Sequence, residues 1–67
     1  MSILEAKRQA QQVMSYWATG AKCVDFETST EPGYDYEGLF EFPKGEPGLF
    51  RFWTNTSTGN LLFLEAK

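Results

Sequence analysis

The chain contains no histidine and a single cysteine, Cys23, in 67 residues. Those shortages exclude a disulfide within the chain, zinc sites built on cysteine and histidine ligand sets, and any histidine-dependent catalytic triad. Nor does any apolar run approach the ~20 residues a helix needs to cross a bilayer, so no membrane association is expected. The opening segment Met1-Ser2-Ile3-Leu4-Glu5-Ala6-Lys7-Arg8 lacks a basic stretch followed by an apolar core, so no signal peptide is expected there. A lone cysteine fits a reducing compartment, and the expected location is the cytoplasm. Repeats and low-complexity tracts are missing as well. At roughly 100–200 residues per domain, residues 1–67 form one domain.

Aromatic side chains are what the chain has in quantity. A domain this small buries only about 60 % of the surface its unfolded chain exposes, so its core must be efficient. Eleven aromatic residues, 16 % of the chain, supply that core, each able to bury about 150–250 Å². With 42 % hydrophobic residues, a compact fold is expected and disorder is not.

Two periodicities divide the chain. Ser2-Ile3-Leu4-Glu5 has the form of a capping box, in which the serine hydroxyl and the glutamate each satisfy a free backbone N–H. Behind it Ile3, Ala6, Ala10, Val13 and Trp17 recur at helical spacing, and Leu4, Met14 and Ala18 widen the stripe. Gln9, Gln11, Gln12 and Ser15 would face water. Gly20 can take the left-handed conformation that ends a helix. These signals predict a helix over about residues 2–19.

Beyond Gly20 the period becomes two, and strands are predicted over about 22–27, 34–42, 49–55 and 60–65. Turn chemistry separates them: Pro32-Gly33, then Pro43 to Gly48, then Asn55 to Gly59. Gly38, inside the second strand, signals a bulge or a bend. The last strand has no readable phase, because Leu61, Leu62, Phe63 and Leu64 are all apolar. Short connections favour hairpins over parallel crossovers. The expected fold is α+β: one N-terminal amphipathic helix packed on a three- or four-stranded antiparallel β-meander, in two layers. Val24, Phe26, Tyr36, Phe40, Phe42, Phe50 and Phe52 would face the helix. Whether the first strand pairs with the second or with the last stays open, since a one-residue shift turns a whole face over.

Charge is distributed unevenly. Met1 to Val24 sums to +2, Asp25 to Glu46 to −6 with seven acids against Lys44, and Pro47 to Lys67 to +1, for a net −3. Binding nucleic acid directly requires a positive patch that neutralises phosphates. The acidic middle third would repel a phosphate backbone, so no direct nucleic-acid binding is expected and a basic protein surface is the better complement.

The alternation also writes the sheet face turned away from the helix. It would carry Cys23, Asp25, Glu27, Asp35, Glu37, Leu39, Glu41, Leu49, Arg51 and Trp53, with two residues of the last strand. The ordinary explanation is a solvated face on which Arg51 pairs with Glu41 across the hairpin. Tryptophan beside Leu39 and Leu49 is less ordinary on such a face, because Trp and Arg are enriched at binding hot spots and apolar patches rimmed by charge mark interfaces. The candidate partner-binding residues are therefore Trp53, Leu39, Leu49, Arg51, Glu37, Glu41 and Asp35.

Other chemistries fit poorly. Strand-borne acids rarely converge, and none has calcium-loop spacing, so no metal or cofactor is expected. Paired carboxylates could serve glycoside chemistry, but a domain this small lacks an enclosing cleft. Cys23, without a histidine to activate it, reads as a small apolar filler. Asn55-Thr56-Ser57 matches a glycosylation sequon that carries no weight without a secretory signal. Phe50, Phe52 and Trp53 with Arg51 resemble a stacking platform for single strands, which the neighbouring acids oppose. No catalytic constellation remains, and no enzyme is expected. The expectation is a small protein-binding module or inhibitor that presents carboxylates and an indole to a basic partner, including a partner that itself binds nucleic acid. Size and charge pattern are similar to those of small viral or mobile-element regulators. The alternative is a self-assembling subunit, a homodimer joined through its edge strand or open sheet face.

Overall fold

The computed structural model describes residues 1–66. Helix α1 (Ile3–Trp17) is followed by four strands, β1 (Lys22–Thr28), β2 (Tyr36–Glu41), β3 (Gly48–Thr54) and β4 (Leu61–Glu65). The strands form one sheet in the order β1-β2-β3-β4, and each neighbouring pair is antiparallel. The helix lies on one face of this open sheet, so the two-layer α+β expectation holds and the first strand pairs with the second.

The serine cap forms as the sequence requires: the Glu5 N–H donates to Ser2 Oγ at 3.2 Å. The helix stops two residues short of the expected end. Ala18 is already extended, and its N–H makes the closing bond to the Met14 carbonyl. Gly20 does take a positive φ of 88°, within the turn closed by the Ala21 N–H on the Ala18 carbonyl. A Cβ there would sit 2.5 Å from Pro43 Cγ, so this glycine also seats the helix end against the β2–β3 connection.

Ala6, Ala10 and Met14 are the fully buried helix residues. They are spaced by four along a single ridge, and the two alanines allow the backbone to approach the sheet closely. Ile3 and Trp17, expected on the same stripe, lie at its two ends and overhang the sheet, with Trp17 63 % exposed. Trp17 still meets Phe42, Phe50 and Phe63 edge-to-face at 5.8–6.4 Å. Beneath the helix, Phe40, Phe50, Phe52 and Leu61 complete the core with Ala21. Fully burying a side chain such as Phe40 is worth about 1.5–3 kcal/mol, and its rings meet Phe50 and Phe52 at 6.0 and 5.8 Å.

One irregularity corrects two expectations about β1. The β1–β2 register runs Lys22↔Glu41 and Cys23↔Phe40, then resumes at Asp25↔Leu39. Val24 is the extra residue of a β-bulge. Before the bulge the phase is reversed, so Cys23 packs against the core, while Val24 is exposed. The bulge falls on β1 and not at Gly38, which stays in register. Gly38 lies opposite Phe26, and a Cβ there would come within 2.9 Å of both the Phe26 and Phe40 rings; the glycine makes room for aromatic packing.

Gln11 was expected to face water and instead joins the two layers. Its Nε2 donates to the Ala21 carbonyl at 2.7 Å and to Ser15 Oγ at 2.8 Å, and its Oε1 accepts from the Cys23 N–H at 2.8 Å. Tyr34 and Asp35, expected inside the second strand, precede it. The register of β4 (Trp53↔Leu62, Arg51↔Leu64) settles its phase: Leu61 and Phe63 pack toward the helix and Leu62 and Leu64 turn the other way.

Candidate protein-binding face

The sheet face opposite the helix is uncovered among the described residues. Its rows follow from the registers. One row runs Glu27, Glu37, Arg51, Leu64 from β1 to β4, and the next runs Asp25, Leu39, Leu49. Trp53 stands opposite Leu62 at one end of the sheet, and Lys22 stands opposite Glu41 at the other. The acids therefore collect on β1 and β2 with Arg51 of β3 beside them, and apolar surface runs from Leu39 of β2 across β3 to β4.

The apolar half is continuous. Leu39, Leu49, Leu62 and Leu64 are each 36–41 % exposed, which is high for leucines adjoining one another across three strands. Trp53 is half-buried rather than fully displayed. Tyr34 covers part of it, packing edge-to-face at 5.8 Å, and the same tyrosine ring lies 5.9 Å from the Arg51 guanidinium carbon. Tyr34 reaches this face because the chain leaves the strand phase before Tyr36. The Asp35 N–H donates to the Phe52 carbonyl, and Asp35 Oδ2 accepts from the Thr54 N–H, both at 2.8 Å.

The charged half contains an unfavourable juxtaposition. Glu27 and Glu37 are direct cross-strand partners, and like charges in that position destabilise a sheet. Glu37 is drawn toward β3 instead: its Oε1 lies 3.7 Å from Arg51 Nε and 3.4 Å from Ser29 Oγ. Arg51 was expected to pair with Glu41. The register places Glu37 opposite Arg51 and leaves Glu41 against Lys22, because the β2–β3 connection is longer than the simplest hairpin. Arg51 Nε is buried and makes no hydrogen bond, so the ion pair holds it by charge rather than by a directed bond.

Of the seven candidate residues, Trp53, Leu39, Leu49, Arg51 and Glu37 come together. Glu41 lies at the far end of β2, and Asp35 uses its carboxylate to anchor Thr54. Tyr34, Glu27, Leu62 and Leu64 complete the face. Glu27 and a pair from β4 were legible on it from alternation; Tyr34 was not, since it follows Gly33 outside any regular strand.

Two further features lie elsewhere. Cys23 is a free thiol whose partial burial raises its pKa above the ordinary value, only partly offset by Lys7. A cleft of about 490 Å³ opens between the end of α1 and the β2–β3 connection, lined by Trp17, Phe42, Pro43 and Phe50 with Lys44 and Glu65 beside them. It is aromatic and has few converging polar groups. Among the described residues no three acids or cysteines gather closely enough to hold a metal ion, and no helix is long and apolar enough to cross a membrane. Comparison with protein-family models, with curated proteins and with solved structures finds no match to this chain.

Proposed function

We propose that this chain is a non-enzymatic binding module that docks a basic protein partner on its open sheet face. The observation that carries the reading is the cross-strand opposition of Glu27 and Glu37, in which Arg51 balances Glu37 and no cation among the described residues pairs with Glu27, beside the exposed leucines 39, 49, 62 and 64. A cationic side chain from a partner would lie between carboxylates that repel one another in the free protein. Apolar residues of the same partner would cover the leucines and the edge of Trp53. A partner with basic and apolar side chains on one surface matches both halves, whereas a nucleic-acid backbone matches neither. Electrostatic complementarity of this kind sets on-rate and selectivity, and the apolar anchors set residence time.

Affinity capture from cell extract tests it with three baits: the native chain, Trp53→Ala, and Glu27→Lys. The charge-reversed bait relieves the Glu27–Glu37 repulsion, so its loss of binding cannot come from unfolding. The expected result is a basic protein retained by the native bait, released by added salt, and lost from both variants. Equal recovery on all three baits refutes the reading.

A further inference from the structure

We propose that the free edge of β4 pairs with β4 of a second copy of this chain, giving an antiparallel dimer with one continuous eight-stranded sheet. The inference rests on the sheet edges and is independent of the partner proposed for the open face.

The two edges of the sheet are finished differently. On β1 the outward N–H of Cys23 is taken by Gln11 Oε1, that of Phe26 by Asp25 Oδ1 at 3.0 Å, and the strand is bulged at Val24. Capping, bulging and charge are the usual means of closing an edge against other chains. β4, by contrast, reads Leu-Leu-Phe-Leu-Glu, with no proline, no bulge and no charge before its last residue.

The outward groups of β4 follow from its pairing. The Asn55 N–H donates to the Asn60 carbonyl, and the Ala66 N–H to the Leu49 carbonyl. Hydrogen-bonded and non-bonded pairs alternate in an antiparallel ladder, so residues 60, 62, 64 and 66 bond to β3. Leu61, Phe63 and Glu65 therefore direct their N–H and C=O groups outward, and among the described residues no side chain takes those N–H groups.

This set is self-complementary. Pairing about Phe63 sets Phe63 against its own copy and Leu61 against Glu65 of the other, satisfying all three residues on both chains. Glu65 then meets a leucine rather than a second carboxylate. On the open face Leu62 meets Leu64 of the other chain, so the two leucine patches fuse. The acids of β1 lie three strands from the seam, about 14 Å at ~4.8 Å per strand, beyond the ~8 Å screening length at physiological salt. The net charge of −3 thus opposes the pairing only weakly.

The seam is short, and five residues span about 17 Å, so the dimer belongs to the range from roughly 10 µM upward. Light scattering over about 10 µM to 1 mM should show the mass rising from 7.6 kDa toward twice that value. Glu65→Pro removes an outward N–H without touching the β3 ladder and should hold the chain monomeric. Glu65→Ala makes the same change of charge, keeps the N–H and should still dimerise. In the native chain, amide exchange at Leu61, Phe63 and Glu65 should slow on the order of tenfold as the dimer fills, with Leu62 and Leu64 protected throughout. A monomer across the whole range, a dimer indifferent to Glu65→Pro, or concentration-dependent protection confined to other strands overturns the proposal. Those outcomes leave the capture experiment unaffected, so the two readings fail separately.

Discussion

Glu27→Lys should stabilise this protein, and the reason is local. Glu27 and Glu37 face each other across β1 and β2. The bonds that run from Ser29 to Asp35 place them in a hydrogen-bonded pair, with Cα atoms about 5.5 Å apart. Two charges roughly 6 Å apart in water repel by about 0.7 kcal/mol, within the 0.2–1 kcal/mol range typical of cross-strand pairs. Reversing one sign turns repulsion into attraction, a swing of about 1.4 kcal/mol at low ionic strength. For a domain this small that corresponds to a rise in Tm of roughly 5–10 °C. Thermal unfolding followed by circular dichroism at low salt and again near 0.5 M salt provides the assay. The gain should shrink by more than half at high salt, where the screening length falls to about 4 Å, and Glu27→Gln should fall between the two. A Glu27→Lys chain no more stable than the native one at low salt would refute the register, since a one-residue slip would turn Glu27 toward the helix. A gain insensitive to salt would refute its electrostatic origin.

Gly38→Ala should cost about 1–3 kcal/mol, because the added methyl meets two rings and the fully buried Phe40 cannot move aside; chemical denaturation measures it. Gln11→Ala strips partners from the Ala21 carbonyl and Cys23 N–H and should cost about 1–3 kcal/mol. Because that change also opens the β1 edge, the variant should aggregate more readily on heating, which turbidity would record. Cys23 should react slowly with iodoacetamide at neutral pH, its rate rising at higher pH than that of a free cysteine, because burial raises its thiol pKa. The same shift means that the folded chain holds this proton where the unfolded chain releases it, so stability falls as pH climbs through the alkaline range. Alkylation as fast as in the unfolded chain would contradict its burial.

How far each element was legible depended on how strongly one physical signal constrained it. The capping serine and the run of apolar residues at helical spacing were enough to locate α1, and alternation was enough to locate four strands to within a residue or two. Tyr36, Phe40, Phe50 and Phe52 were placed under the helix correctly because their phase is unbroken. Alternation failed at Val24, where a bulge reversed the phase of everything before it. It was silent on β4, where every position is apolar. Gln11 looked like solvated surface because a glutamine on the polar side of a helix carries no mark of a backbone carbonyl and N–H waiting opposite.

The amino-acid order by itself determined which segments become helix and strand, that the helix must lie on an aromatic face, and that acids crowd the middle of the chain. These are local properties, set by periodicities of 3.6 and two and by where the charges fall. Only the tertiary structure decided which side chains meet: Glu37 rather than Glu41 with Arg51, Tyr34 against Trp53, Gln11 on the β1 edge, and Leu62 and Leu64 on the open face. Such pairings depend on register and on a single bulge. Because neighbours across a sheet are distant in the chain, one residue of slip exchanges them all.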